Sequence, residues 1–332
     1  ELFEQVGVEG LAWVGHRARS SAPPIGRCAA GLKAAAPASA VGYGAAWTQR
    51  GAGTEISQLW QYPVKSMIGQ QVDQIEVDDR GVVGDRTWAT RDEVRGGIRG
   101  AKKIGQLMTF AASYDDGLRG AVTITAPDGS SINTNQPDRD RALSDALDHE
   151  VTLWPLQPAS DLDHYRRGKP DTDDPLQEMR AIFGREDDEP LPDFAAFPEE
   201  LVEFESPPGT YLDAYPVMLM TTSALAALTE ALPDSVIDVR RFRPSIVVDT
   251  GDAAAHPEFE WAGRTLRAGG AELQILGPCP RCIMVTRAIG PDIPADRAVL
   301  RHIVADLDQN VGVYASVSAP GPISLGDTVT LS

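Results

Sequence analysis

Gly277-Pro278-Cys279-Pro280-Arg281-Cys282-Ile283-Met284-Val285-Thr286 carries two of the chain's three cysteines, three residues apart, with an arginine beside the second. The β-branched and apolar run after the pair predicts that a loop enters a strand here. A thiolate next to a guanidinium has a depressed pKa, and the thiolate is the form that ligates soft metals. Four readings fit the pair: half of a structural zinc site, a thioredoxin-like redox couple, two thiols buried in a core, or one thiolate on a metal cofactor. Zinc needs four ligands, and Cys28 and the five histidines offer no second pair at ligand spacing. A thioredoxin-like couple lies at a strand-to-helix junction, whereas this pair is expected to lead into a strand. Zinc and a redox couple stay as lesser readings behind a buried structural pair and, first, a cofactor ligand.

Working outward, the pair belongs to a series of short strands. Upstream, Val217–Met220 reads as an apolar strand running into Thr221-Thr222-Ser223, whose hydroxyls are natural N-caps for a helix through Leu232. Strands are expected at Ser245–Asp249, Trp261–Leu266 and Ala271–Leu276. Downstream, 296–307 reads as a helix with Leu300, Ile303, Val304 and Leu307 on one face. A strand at Gly312–Val317 and a hairpin over 323–329 close the chain. Nearer the N-terminus, Ile56–Tyr62, 72–77, Thr87–Thr90, Gln106–Tyr114, Ala121–Thr125, 131–133 and Glu150–Leu156 read as strands, with a Pro127-Asp128-Gly129 turn and a helix over Asp138–Leu147. The expected class is therefore mainly β (α+β) in two domains: a β-barrel-like unit over 54–156 and a second β-barrel with a few short helices over 211–331. Residues 157–210 are acidic and proline-rich and read as an inter-domain linker or insertion. Residues 1–53, small-residue sequence without period, read as a disordered tail with an inert Cys28; the chain begins with Glu1 rather than Met, as a piece of a longer protein would.

Composition narrows the partners. Lysine plus arginine number 30 against 48 acidic residues, a formal net charge of −18 over 332 residues. Nucleic acid and anionic membrane both require a basic face, so neither is expected. No run of about 18 apolar residues is present for a transmembrane helix. Three cysteines cannot build a disulfide framework, which favours a reducing cytoplasm.

Against that acidic background the local cations stand out. Arg240-Arg241-Phe242-Arg243-Pro244 packs three arginines into four positions. Guanidinium grips phosphate bidentately, so an anion site is the sharper reading and surface ion pairing the plainer one. As a strand edge, the segment would point Arg241 and Arg243 one way and Arg240 the other. Tyr62-Pro63-Val64-Lys65-Ser66 and Gly84-Asp85-Arg86 add a lysine, a hydroxyl and a further arginine.

These motifs, in this order, resemble the MOSC proteins (molybdenum-cofactor sulfurase C-terminal domain), in the branch with an N-terminal β-barrel domain that includes the amidoxime-reducing components. The matching pieces include Asp213 with the strand into Thr221, Arg241-Phe242-Arg243-Pro244, Cys279-Pro280-Arg281-Cys282 and Gly312-Val313-Tyr314, and the resemblance covers about 54–331. It implies that Cys282, not Cys279, is the thiolate that ligates molybdenum. It implies that Lys65, Ser66, Arg86 and Arg243 hold the phosphate and pterin of the molybdenum cofactor, that Asp213 and Thr221 line the pterin pocket, and that Arg281 and Tyr314 lie close by. There are departures: Ser245 stands where asparagine is common, Pro280 removes an N–H, and Tyr215 replaces a small polar residue. The implied reaction is reduction of N-hydroxylated compounds, such as N-hydroxy bases and amidoximes, with release of water. The chain shows no flavin, nicotinamide or iron–sulfur fingerprint, so electrons are expected from a separate flavin or iron–sulfur reductase. The alternative is a cofactor-binding or sulfur-carrier module without turnover of its own.

Overall fold

The computed structural model describes residues 54–117 and 119–332; the readings of 1–53 and of Cys28 lie outside the described residues. In chain order the first part holds strands β1 (Glu55–Gln61), β2 (Gln70–Val72), β3 (Gln74–Asp78), β4 (Gly81–Val82), β5 (Trp88–Asp92), β6 (Ala111–Tyr114), β7 (Val122–Thr125) and β8 (Ser131–Asn133), helix α1 (Arg139–Leu147) and β9 (Val151–Pro155). Helices α2 (Leu162–Tyr165) and α3 (Pro175–Phe183) follow. The last part holds β10 (Val217–Thr221), α4 (Thr222–Ala231), β11 (Ile246–Asp249), β12 (Thr265–Ala268), β13 (Ala271–Pro280), α5 (Arg297–Asp306), β14 (Asn310–Ala319), β15 (Gly321–Ser324) and β16 (Thr330–Leu331). The fold is mainly β with few helices, as the strand spacing predicts.

The largest sheet has the order β16-β12-β13-β14-β10-β11-β1-β2. Its one parallel pair, β10 with β11, is joined by α4, because parallel neighbours need a crossover. Thr221 caps that helix by accepting from the Ala224 N–H at 3.1 Å, as its position before an apolar run predicts. β1 pairs antiparallel with β11, and β3 with β15, so strands from both ends of the chain share sheets. The remaining strands form β5-β9 and β6-β7-β8, and all four sheets are open. The Pro127-Asp128-Gly129 turn joins β7 to β8 as expected, with Thr125 opposite Ser131.

Three cores result. One lies beneath the large sheet, with Leu59, Leu219, Ile246, Leu273 and Val313 fully buried. Another packs β6–β9 and α1 around Leu107, Phe110, Ile124 and Leu153, and takes in Met284 and Ile289 from beyond the cysteine pair. The third seats the buried face of α5 (Val299, Leu300, Ile303, Val304) against Phe242, Cys279 and Val285. The expected α5 face is therefore observed, and Asp296 caps the helix.

Four local expectations are corrected. Cys279 and Pro280 end β13, and Cys282 precedes a 3-10 turn at Ile283–Thr286, so the pair leaves a strand instead of entering one. The position of the pair therefore does not by itself exclude a redox couple. Arg240 and Arg241 lie in a 3-10 turn capped by Asp238, so the arginines radiate in three directions rather than alternating along an edge. Residues Gly105–Thr109 form a 3-10 turn before the shorter β6, because Leu107 and Met108 are both buried where a strand would alternate. Residues 157–210, expected as a solvated linker or insertion, bury Met179, Leu201 and Phe204. Among the described residues no helix is long and apolar enough to cross a membrane.

Candidate functional site

The end of β13, the loop before β10, the turn after Arg241 and the C-terminus of α3 meet at a cleft of ≈ 810 Å³, open mouth included. Arg86, Asp213, Arg243, Ser245, Arg281, Cys282 and Tyr314, all expected at a cofactor site, line it together. Residues from five separate stretches of chain thus converge on one cavity.

The two thiols have different surroundings. Cys279 is 2% exposed, burial pushes its thiol pKa up, and it hydrogen-bonds the Tyr314 side chain. Cys282 is half-buried and packs against the N-terminal core at the cleft wall. The arginine beside it does not face it. Arg281 donates from Nε to the Val311 carbonyl at 2.9 Å and from Nη1 to the Phe242 carbonyl at 3.1 Å. Neighbouring side chains on extended backbone point to opposite sides, and Cys282 is extended. The cations whose fields reach Cys282 are instead Lys102, Arg185 and Arg287. Sequence adjacency therefore pointed to the wrong cation. Among the described residues no group of three His, Cys, Asp or Glu could hold a metal. A metal at Cys282 would need its other ligands from a bound group.

The cleft also holds a guanidinium cradle. The guanidinium carbons of Arg243 and Arg86 lie 4.3 and 5.2 Å from the Tyr62 ring centroid. Burial would lower the Arg86 pKa, but its partner Asp85, with Asp213 and Tyr62, outweighs burial and raises it. Arg243 donates from Nη1 to the Met67 carbonyl. Its Nη2 is buried with no hydrogen-bond partner among the described residues. Burial and then repulsion from Arg86 push the Arg243 pKa down to about 10, so it is charged at neutral pH and short of an anion. Ser66, Arg86 and Arg243 also have positive φ (71°, 49° and 58°). Left-handed backbone at a residue other than glycine costs about 1–3 kcal/mol and collects at functional sites.

An ion cluster also reaches the cleft through Asp213 and Lys102. Asp213 Oδ1 is 2.8 Å from Lys65 Nζ and 3.3 Å from Lys102 Nζ. Burial alone would raise the Asp213 pKa; Lys102 and Lys65 outweigh it and hold the carboxyl well below the usual range. Lys65 also donates to the Tyr211 carbonyl at 2.9 Å and does not line the cleft. Ser66 accepts from the Ala101 N–H at 2.9 Å, one residue before Lys102, and is likewise behind the wall. Thr221 is fully buried and donates to Glu258 at 2.7 Å, away from the cleft. These three expected site residues are therefore supports, not lining. Tyr215 lies 5.1 Å from Tyr314, ring to ring. Gly312 brings Tyr314 in: its φ is +71°, and a Cβ there would meet Met218 Cε at 2.3 Å.

Sequence reading missed Lys102, Phe183 and Phe197 on the cleft. Lys102 carries no local signal except the Lys102-Lys103 pair, and nothing marks the phenylalanines in a stretch read as linker.

The residues present fit a molybdenum cofactor: a half-buried thiol and a cradle with an unpartnered buried guanidinium nitrogen share one cleft. Two family models match the chain, the MOSC N-terminal beta barrel domain over residues 53–160 and the MOSC domain over 207–330. The chain is 26% identical to mitochondrial amidoxime reducing component 2 of Bos taurus, over 82% of each protein. It is 25% identical to human mitochondrial amidoxime reducing component 2, over 96% of each. The human component 1 is also 25% identical, over 92% of this chain and 93% of that protein. Matched over both parts and carrying the thiol and arginine motifs in order, the chain belongs to the MOSC family, with an N-terminal MOSC beta barrel domain, and is similar to the mitochondrial amidoxime-reducing components.

Proposed function

We propose that this chain is a molybdenum-cofactor-dependent reductase of N-hydroxylated compounds, N-hydroxy bases and amidoximes among them. The observation that carries the reading is the unpartnered Nη2 of buried Arg243 on the same cleft as the Cys282 thiol. In this reading Cys282 Sγ holds the metal. Arg86 and Arg243 grip the phosphate, with Tyr62 beneath them. Lys65 and Ser66 hold the wall that presents Asp213 and Lys102, and Thr221 fixes the strand-to-helix junction behind it. Asp213, Ser245, Arg281 and Tyr314 line the pterin side. When bound, the cofactor supplies two-electron chemistry that removes oxygen from substrate. The net change is R–NH–OH + 2 e⁻ + 2 H⁺ → R–NH₂ + H₂O, with the electrons from a separate flavin or iron–sulfur reductase. Lys102 Nζ holds a proton at the cleft, raised above the ordinary lysine range by Asp213 against the opposing effect of burial. A reducing cytoplasm is the proposed compartment, in keeping with two free cysteines among the described residues.

The test is metal analysis of the purified protein, followed by a chemical reductant and an amidoxime. Molybdenum with turnover is expected. Molybdenum without turnover would favour the carrier module, and zinc in its place would end both readings.

A further inference from the structure

Residues 161–206 lie between the two stretches that the family models match. They are nevertheless built into the cleft. Arg99 Nη1 reaches Asp171 at 2.9 Å, and Lys103 pairs with Asp171 and Glu178, fixing the start of α3. Beyond α3, Arg185 Nη2 donates to the Arg281 carbonyl at 3.0 Å, and Arg301 holds Glu189. Gly184 ends α3 with φ +64°, and a Cβ there would stand 2.8 Å from Ile283 Cδ1. The chain between Phe183 and Arg185 therefore lies directly on Arg281 and Ile283, the two neighbours of Cys282.

This placement sets what the segment offers. Phe183 and Phe197 line the cleft, with ring centroids 6.3 Å apart and planes at 57°. Phenylalanine has no donor for a phosphate. The cradle that could take one is built around Tyr62, whereas the helix end that carries Phe183 abuts the cysteine turn. Met218, Met284 and Val285 add apolar lining to the same cleft.

Resting on the proposed reductase reading, we propose that Phe183 and Phe197 determine specificity: they receive the body of the N-hydroxylated substrate and favour a flat aryl body over a small alkyl one. An aryl ring gains edge or face contacts from two tilted rings that a methyl group cannot make.

The test compares benzamidoxime with acetamidoxime on the cofactor-loaded protein and its Phe183→Leu and Phe197→Leu variants. A second arm follows line broadening of 4-fluorobenzamide, a neutral analogue without an N–O bond, by ligand-observed fluorine NMR. The aryl-to-alkyl ratio of kcat/KM is expected to fall roughly 3- to 10-fold for each substitution. Broadening should weaken in parallel, with molybdenum per protein unchanged. Loss of molybdenum in the variants would overturn the proposal, since the rings would then hold cofactor. An unchanged ratio would overturn it too. Should the unaltered protein reduce neither amidoxime, the reductase reading fails by itself. The fluorine arm then decides: broadening that depends on Phe183 and Phe197 upholds the aryl site, and broadening indifferent to them removes it.

Discussion

Replacing Arg243 by methionine separates a residue kept for binding from one kept for stability. In the protein without ligand, Arg243→Met removes the hydrogen bond to the Met67 carbonyl and the contact with the Tyr62 ring. A charge-assisted hydrogen bond contributes about 1.5–3 kcal/mol and a cation–π contact about 0.5–2 kcal/mol. The same change removes a buried charge whose Nη2 has no partner among the described residues, and with it a desolvation cost of several kcal/mol. Methionine fills comparable volume. The two sides nearly cancel, so the melting temperature of the ligand-free variant should lie within a few degrees of the unaltered protein. Cofactor retention behaves differently. A bidentate grip on phosphate lost from this position removes two charge-assisted bonds, about 3–6 kcal/mol, or on the order of 10²- to 10⁴-fold in affinity. Calorimetry of the ligand-free forms and molybdenum per protein after dialysis read the two quantities separately. A variant that melts far lower yet keeps its molybdenum would refute the reasoning, because Arg243 would then be a structural residue.

Cys282→Ser should abolish molybdenum retention, whereas Cys279→Ser should spare much of it and cost about 1–2 kcal/mol of stability through the buried contact with Tyr314; equal metal loss from both would contradict the assignment. The depressed pKa of Asp213 contributes stability that is fully present above the unfolded carboxyl value of about 3.9 and is lost as pH falls through the folded value. Asp213→Asn should therefore flatten the acid limb of unfolding free energy against pH below about 4, and an unchanged acid slope would show that its two lysines do not hold the charge. Leu219→Ala, at a fully buried position of β10, should cost about 2–5 kcal/mol in urea unfolding; a loss under 1 kcal/mol would mean that the large sheet is not the principal core.

How much of this was legible in the sequence depends on the range over which each signal acts. The cap at Thr221, the Asp128-Gly129 turn and the buried face of α5 were readable because each arises within a few residues. The convergence of Arg86, Arg243 and Cys282 followed from resemblance, since no local rule brings positions so far apart to one cavity. The cysteine pair misled for a physical reason. Ile283-Met284-Val285-Thr286 has strand propensity, but Met284 is drawn into the N-terminal core and Val285 into the α5 core, and burial in two directions suits a 3-10 turn. Residues 157–210 misled in the opposite sense. Their acidic residues look solvated in isolation, yet Asp171 and Glu178 face Arg99 and Lys103, and the stretch folds by pairing with cations from elsewhere.

The same partition explains why the cleft lies where it does. Cys282 stands between Arg281, whose side chain is spent on the carbonyls of Val311 and Phe242, and Met284, which belongs to the N-terminal core. A thiol in that position cannot shift unless one of two cores moves with it, and such restraint is what a metal ligand requires. The cradle meets the same need by another route. Tyr62 ends a strand-to-turn passage with its hydroxyl donated to the Pro244 carbonyl at 2.9 Å, which ties the Arg243 turn to the Arg86 turn through one ring. Strained backbone at Arg86 and Arg243 is tolerated because Tyr62 and Asp85 over-determine both positions. A chain selected for stability alone would have placed glycine at those two left-handed positions and an apolar side chain beneath Tyr62. The guanidinium groups present there, one paired with Asp85 and one with a buried unpartnered nitrogen, suit the proposed phosphate site better than they suit a stable core.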